Sequence, residues 1–356
     1  MTFGFYLART LTSPAAAPKM PLHVRPEGAR SISVDATLHT TIPGTWGVWL
    51  SGGGHLQVSG QPAIRDGRAH WVIADGYVTP TRPHRGRWTG IAHRDPSSAG
   101  LTASDELVPT RAGIVPAWRI ESSSRRSDVW AVHVHGAGSS RAGTLRGVLA
   151  AAETGVTSFV AAYRNTEEGP RAGGGRSHLG ATESGDIADV LEHLARAGAE
   201  RFVLFGWSMG AQIVLPLAAS DAWRERVAGV VLDSPVLNWQ HTLAHNLTAA
   251  RLPAATAGLA TAWLKSPRRS LLVGMDEPVD VAEMDWVRRS AEVTAPVLIH
   301  HGSTDKTTPV ADSRAFVGGA DGRELVESMA DHTVSWNLDP EKWAGRTTAF
   351  VRGLRL

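Results

Sequence analysis

The chain has 356 residues, of which 42% are hydrophobic and 20% charged, a composition typical of a globular protein with one large domain or a large and a small one. Its formal net charge of +2, without a long basic run, gives no support for a nucleic-acid partner. The absence of cysteine excludes disulfides, thiolate metal sites and cysteine nucleophiles.

The sequence predicts neither a membrane span nor a secretory leader. No stretch approaches the roughly 18 consecutive apolar residues that a membrane helix needs. Residues 1–22 lack the basic start and the continuous apolar core of a signal peptide. We therefore expect a cytoplasmic protein, whose oligomeric state the sequence does not define.

Residues 1–102 are predicted to form a small β-rich N-terminal domain. Short alternating runs such as 45–50 and 69–73 are separated by glycine, proline and Asp-Gly signals, the pattern of an antiparallel β unit. The glycines at 52–54 are followed by neither a helix nor a Lys-Ser or Lys-Thr pair. They indicate a hairpin turn rather than a phosphate-binding loop.

Residues 103–356 are predicted to form an α/β domain. After a β-hairpin within 105–120, apolar strands alternate with helices, the strands being predicted at 128–134, 156–162, 201–206, 228–233, 296–301 and 323–328. Uninterrupted apolar strands separated by helices indicate a parallel sheet that is covered on both faces. We expect an eight-stranded, mostly parallel sheet with helices on both sides.

An insertion at residues 236–290 interrupts this alternation before the seventh strand. Leucines at helical spacing, such as Leu243 and Leu247, predict helices there. Because the insertion lies at the mouth of the sheet, one interpretation is a helical lid over a functional site. A helical packing layer without a gating role is equally well supported.

The pentapeptide Gly206-Trp207-Ser208-Met209-Gly210 lies between a predicted strand and a predicted helix. A serine bracketed by glycines at a sharp strand-to-helix turn is typical of a nucleophile elbow, because the glycines leave room for the strained turn. The helix N-terminus then directs backbone N–H groups toward the hydroxyl. The alternative is a turn whose serine only caps the helix.

A serine nucleophile needs a base and an orienting acid. Asp305 lies in the loop after strand 296–301, and His332 follows strand 323–328, so both are expected at the same sheet edge as Ser208. The order serine, aspartate, histidine is the one that this type of elbow requires. Asp233 is a weaker alternative for the acid, and Asp331 could not easily turn onto the ring of its neighbour.

Backbone N–H groups are predicted to stabilise an oxyanion. Strand 128–134 runs into His135-Gly136-Ala137-Gly138, whose small residues let the backbone curl toward a reacting carbonyl. Ala137, or alternatively Gly136, is expected to donate together with Met209. A metal bound by His133 and His135 is weakly supported, because the loop offers no carboxylate, and we predict neither a metal nor a cofactor.

Four further residues are candidates for a substrate pocket, namely Trp207, Trp239, Trp336 and Arg164. Core packing is the alternative role for each tryptophan. Arg164 either binds a substrate carboxylate or fixes the loop at 165–182, and the structural role is favoured.

On these residues the chain resembles the α/β-hydrolase superfamily, and within it the prolyl oligopeptidase and acylaminoacyl-peptidase type of serine hydrolase found in actinobacteria. The matching segments lie within 103–356, at 135–138, 163–165, 206–210 and 301–305, with His332 and 336–341. The resemblance implies an α/β-hydrolase fold. Oligopeptidases of this type carry an N-terminal β-propeller of several hundred residues, for which the N-terminal region here is too short.

We therefore predict a serine hydrolase that cleaves a small carboxylic ester or amide through an acyl-enzyme. An ester substrate is favoured. An aminopeptidase-like or acylaminoacyl-peptidase-like amide hydrolase stays open, as does an acyltransferase or thioesterase that uses the same three residues.

Overall fold

The structure, a computed structural model, describes residues 3–14, 19–76, 80–121 and 126–355. Its N-terminal part contains a closed antiparallel barrel with strand order β1-β2-β5-β4-β3-β6. The six strands are β1 (Leu22–Pro26), β2 (Ser31–Asp35), β3 (Gly44–Leu50), β4 (His55–Arg65), β5 (Arg68–Gly76) and β6 (His84–Thr89). Alternate residues fill the interior, as Trp46, Val48 and Leu50 do on β3. The β-rich N-terminal unit is thus a barrel.

The C-terminal part is built on an eight-stranded sheet with the order β14-β13-β12-β11-β9-β10-β8-β7. Its strands are β7 (Ser104–Thr110), β8 (Gly113–Ile120), β9 (Arg126–Val134), β10 (Val156–Ala161), β11 (Arg201–Trp207), β12 (Val227–Asp233), β13 (Val297–Gly302) and β14 (Arg323–Ser328). Strand β8 is antiparallel to both of its neighbours, and the other pairs are parallel. The predicted mostly parallel sheet is confirmed.

Helices cover both faces of this sheet. They are α1 (Phe3–Leu11), α2 (Leu145–Ala152), α3 (Glu183–Arg196), α4 (Gly210–Ala219), α5 (Trp239–Ala249), α6 (Ala257–Lys265), α7 (Pro267–Val273), α8 (Val310–Val317), α9 (Ser335–Leu338) and α10 (Pro340–Gly353). On β11, Leu204 faces one core and Val203 the other, which explains why the strands are apolar without alternation. None of the helices in the described ranges has the length and hydropathy to cross a bilayer.

The insertion at 236–290 is helical, as predicted, and contains α5, α6 and α7. Leu243 and Leu247 of α5 belong to the main core of the sheet. Helix α1 packs on α6, where the rings of Phe5 and Trp263 meet edge to face with centroids 5.2 Å apart. Although α1 lies within the first 102 residues, it therefore packs on the insertion.

The barrel contacts the rest of the protein through α9 and the residue before it. Val334, which precedes α9, and Leu338 of α9 pack against the barrel core. The Asn337 side-chain amide donates to the carbonyls of Thr45 (2.6 Å) and Gly90 (2.9 Å), both in the barrel segment. The barrel is thereby held beside the loop that follows β14.

Candidate active site

Ser208 occupies a strained turn between β11 and α4. Its φ angle is +52°, in the left-handed region that a residue with a Cβ rarely adopts. A Cβ on Gly206 would lie 2.9 Å from the backbone nitrogen of Ala211, and one on Gly210 would collide with the carbonyl of Val134. Only glycine fits at these two positions, so the local sequence accounts for the turn.

Ser208, His332 and Asp305 form one continuous chain of hydrogen bonds. The Ser208 hydroxyl lies 2.9 Å from His332 Nε2, and His332 Nδ1 lies 2.8 Å from Asp305 Oδ2. With a proton on Nδ1 donated to the carboxylate, Nε2 is left to accept the serine proton. The structure therefore brings together the three side chains expected from the sequence.

The Asp305 carboxylate is buried and fully engaged. Oδ1 accepts the backbone N–H groups of Thr307 (2.7 Å) and Thr308 (2.9 Å), and Oδ2 accepts the Thr308 hydroxyl (2.8 Å) as well as His332. His301 Nε2 lies 3.3 Å from Oδ2. Burial alone would raise the pKa of Asp305, but the hydrogen bonds from His301 and His332 outweigh it and hold the pKa far below its ordinary value.

The two competing carboxylates bond elsewhere. Asp233 is buried and accepts the indole N–H of Trp343 at 3.1 Å, and burial raises its pKa. Asp331 Oδ1 accepts the backbone N–H groups of His332 (2.8 Å) and Lys306 (3.0 Å). Asp331 thus shapes the backbone of the loop, while Asp305 contacts the ring.

Helix α5 supports the loop that carries Asp305, a role that the sequence did not reveal. His245 Nε2 donates to the carbonyl of Asp305 at 3.0 Å, and the Asn246 amide donates to that of Thr307 at 2.7 Å. These contacts join residues about 60 positions apart. The insertion therefore fixes the loop that presents Asp305.

The loop at 135–138 passes directly over the nucleophile. A Cβ on Gly136 would lie 2.9 Å from Ser208 Cβ and 3.6 Å from the backbone nitrogen of Met209. Met209 caps the N-terminus of α4, and Gly138 has a φ angle of +68°, which turns the loop. The backbone of this loop and the N-terminus of α4 thus meet beside the serine.

His133, which precedes this loop, and His135, its first residue, pack inside the domain. His133 is fully buried, stacks on Phe205 with centroids 4.4 Å apart and lies 3.1 Å from the Ser158 hydroxyl. Burial lowers the pKa of His133 to about 3. His135 stacks on Tyr163. Across the described ranges, no three His, Asp or Glu side chains are grouped in a way that could bind a metal.

A cleft of about 510 Å³ opens at Ser208 and His332. The loop at 135–140 lines it, and so does the barrel segment 87–91. A second, more apolar crevice of about 890 Å³ lies between the barrel and the loops at 304–307 and 329–338, and it also reaches His332. The barrel therefore lines both cavities, although no local pattern in the sequence indicates that residues 87–91 contact the site.

Of the four predicted pocket residues, only Trp207 lines the cleft. The Trp239 indole is buried and donates to the carbonyl of Leu179 at 3.0 Å, and Trp336 is buried against His93. The Arg164 guanidinium is paired with buried Asp186 at 2.6 Å. Trp239, Trp336 and Arg164 therefore have the packing and loop-fixing roles that were the alternatives. Residues 236–290, all described, line neither cavity, which favours a packing layer over a lid.

Comparison with known proteins identifies the family of the chain. The Alpha/beta hydrolase family model matches residues 131–346, more than half of the chain. No curated protein matches the sequence.

Three solved structures with a similar fold are a Pyrococcus furiosus esterase (19% identity, TM-score 0.54, covering 73% of this chain and 95% of that one), the esterase domain of a Rhodothermus marinus protein (15%, 0.50, 71% and 99%) and a Pseudomonas aeruginosa hydrolase (17%, 0.50, 70% and 98%). At this level of identity the likeness concerns the fold. The family match extends over β9 to α10, and with it the chain belongs to the alpha/beta hydrolase family.

Proposed function

We propose that the protein hydrolyses carboxylic esters through an acyl-enzyme formed on Ser208. The observation that carries the proposal is the unbroken chain of hydrogen bonds from Asp305 through His332 to Ser208, at the edge of an open cleft. Two solved structures with a similar fold, from Pyrococcus furiosus and Rhodothermus marinus, are an esterase and an esterase domain.

In the first half of the reaction, the Ser208 oxygen attacks the ester carbonyl carbon while His332 Nε2 takes the serine proton. The imidazolium is stabilised by the ionised carboxylate of Asp305, whose pKa is held low by its hydrogen bonds. The N–H of Met209, with that of Ala137 or Gly136, receives the oxyanion. His332 then protonates the departing alcohol, and the acyl group stays on Ser208.

In the second half, water replaces the alcohol. His332 removes a proton from the water while the water oxygen attacks the acyl carbon, which forms a tetrahedral intermediate. The bond from the acyl carbon to the Ser208 oxygen then breaks, His332 returns the proton to Ser208, and the carboxylic acid leaves. One ester and one water thus yield one acid and one alcohol. Amide hydrolysis and acyl transfer use the same three side chains, so the acceptor and the leaving group must be identified by product analysis.

The test is the turnover of p-nitrophenyl acetate by Ser208→Ala. We expect kcat to fall by about 10⁴-fold or more, together with loss of labelling by a fluorophosphonate probe. Ser184→Ala, on α3 and outside both cavities, is the matched control and should behave as the wild type. Unchanged turnover or labelling in Ser208→Ala would refute the proposal.

Two assays on the purified protein distinguish ester hydrolysis from amide hydrolysis and from acyl transfer. Comparing p-nitrophenyl acetate with acetyl p-nitroanilide measures the preference for an ester over an amide. Adding an alcohol as a competing acceptor shows whether the acyl group goes to water or to the alcohol. We expect the ester and water to dominate.

A further inference from the structure

Arg87 is the barrel residue whose chemistry the proposed reaction does not use. It lies on β6 and lines both the cleft at Ser208 and the apolar crevice. Its Nε atom is buried without a hydrogen-bond partner. Among the described residues, no carboxylate forms an ion pair with its guanidinium.

Two other arginines with little exposed side chain have acidic partners. Arg141 pairs with Glu168 at 2.9 Å, and Arg164 pairs with Asp186 at 2.6 Å. A charged guanidinium taken out of water loses hydration, and such groups are normally compensated by a partner. Arg87 is only partly buried, yet it faces a cavity where a partner could bind.

The other charged residues around the cleft also differ from Arg87. Arg146 also lines the cleft, but its guanidinium already donates to the Thr333 carbonyl (2.7 Å) and to Asn337 Oδ1 (3.0 Å). Among the described residues that line the cleft, Glu167 is the single one with a carboxylate, and it is exposed to solvent. Burial lowers the pKa of Arg87, and the charge of Glu167 opposes that shift without pairing with the guanidinium.

We propose that Arg87 binds a carboxylate of the substrate, so that the preferred substrates are esters that carry a second, ionised carboxyl group. A guanidinium presents several N–H donors in one plane, which match the two oxygens of a carboxylate. Because Arg87 and Ser208 line the same cleft, the charged end can bind the arginine while the ester group lies at the serine. This inference rests on the proposed ester hydrolysis.

The test uses two esters that differ only at the far end of the acyl chain, mono-p-nitrophenyl adipate and p-nitrophenyl hexanoate. The quantity measured is the ratio of kcat/KM for adipate to kcat/KM for hexanoate, after subtraction of spontaneous hydrolysis. In Arg87→Gln we expect this ratio to fall by about 10- to 100-fold, the usual strength of a charge-assisted hydrogen bond. The KM for adipate should rise, while turnover of hexanoate should change little.

Arg25→Gln is the matched control, since Arg25 is an exposed arginine on β1 that lines neither cavity, and its ratio should equal that of the wild type. Arg87→Lys should retain part of the preference. Fluorophosphonate labelling of Ser208 shows that the variants are folded.

A ratio that falls by less than tenfold in Arg87→Gln overturns the inference. Failure of the proposed function has a different signature, because Ser208→Ala would then turn over both esters at the wild-type rate.

Discussion

Replacing Asp305 by asparagine should reverse the proton arrangement on His332 while keeping the fold. Two backbone N–H groups, from Thr307 and Thr308, point at Oδ1, so the amide carbonyl oxygen must take that position. The amide NH₂ then occupies the place of Oδ2, 2.8 Å from His332 Nδ1, and it can only donate. His332 must carry its proton on Nε2, which faces Ser208 and can no longer accept the serine proton.

The expected fall in kcat follows from the free energy needed to turn the new amide of Asp305→Asn into the orientation that accepts from His332. Turning the amide over would restore an acceptor for His332 but leave two backbone N–H groups against an NH₂. Each unpaired buried donor costs about 1–3 kcal/mol, so the active orientation lies about 2–6 kcal/mol higher. Since about 1.4 kcal/mol corresponds to a factor of ten, kcat should fall by about 30-fold to 10⁴-fold.

The assay is kcat for p-nitrophenyl acetate, with thermal unfolding to verify the fold of each variant. Asp331→Asn is the control, because an asparagine oxygen can still accept the backbone N–H groups of His332 and Lys306 that Asp331 binds. We expect it to lose less than tenfold. A near-normal kcat in Asp305→Asn, or a larger loss in Asp331→Asn, would refute the reasoning.

Two further predictions concern the backbone donor and a buried histidine. Ala137→Pro removes an N–H and should lower kcat for p-nitrophenyl acetate by about 10²- to 10³-fold, whereas Ala137→Gly keeps it; equal rates would assign the donor to Gly136. Burial lowers the pKa of His133 from 6.5 to about 3, so its contribution to stability is fully present above pH 6.5 and is lost as the pH falls toward 3. His133→Gln should reduce the slope of the unfolding free energy by about 1.4 kcal/mol per pH unit between pH 6 and pH 4 in urea titrations; an unchanged slope would contradict this.

The positions of Ser208, Asp305 and His332 could be anticipated because each follows a strand of one parallel sheet. Parallel strands end at a common edge, so chain order and strand ends are enough to predict that the three side chains meet. The predicted strand bounds were also close to those observed, because each strand is an apolar run with polar or turn residues at its ends. The strand at 323–328 was predicted with the bounds observed, whereas the helix predicted at 140–153 begins with a short 3-10 turn at 141–144.

The barrel side of the cleft could not be anticipated. Arg87 reaches the site only because the barrel docks beside the loop after β14, and residues more than 200 positions apart make that contact. Trp239 and Trp336 are apolar residues next to predicted site elements, but sequence does not say which face they present. Their burial follows from packing of helices α5 and α9, which only the tertiary structure determines.

The contacts of α9 have a consequence for how the protein is made. The barrel comes first in the chain, yet its core is covered by Val334 and Leu338, and two of its carbonyls are bound by Asn337. During synthesis the packing of the barrel is therefore completed only after residues 334–338 have been made, and Asn337 lies 292 positions after Thr45. The two parts of the protein should consequently melt in a single transition, and residues 103–356 cannot be cut free without opening the barrel core.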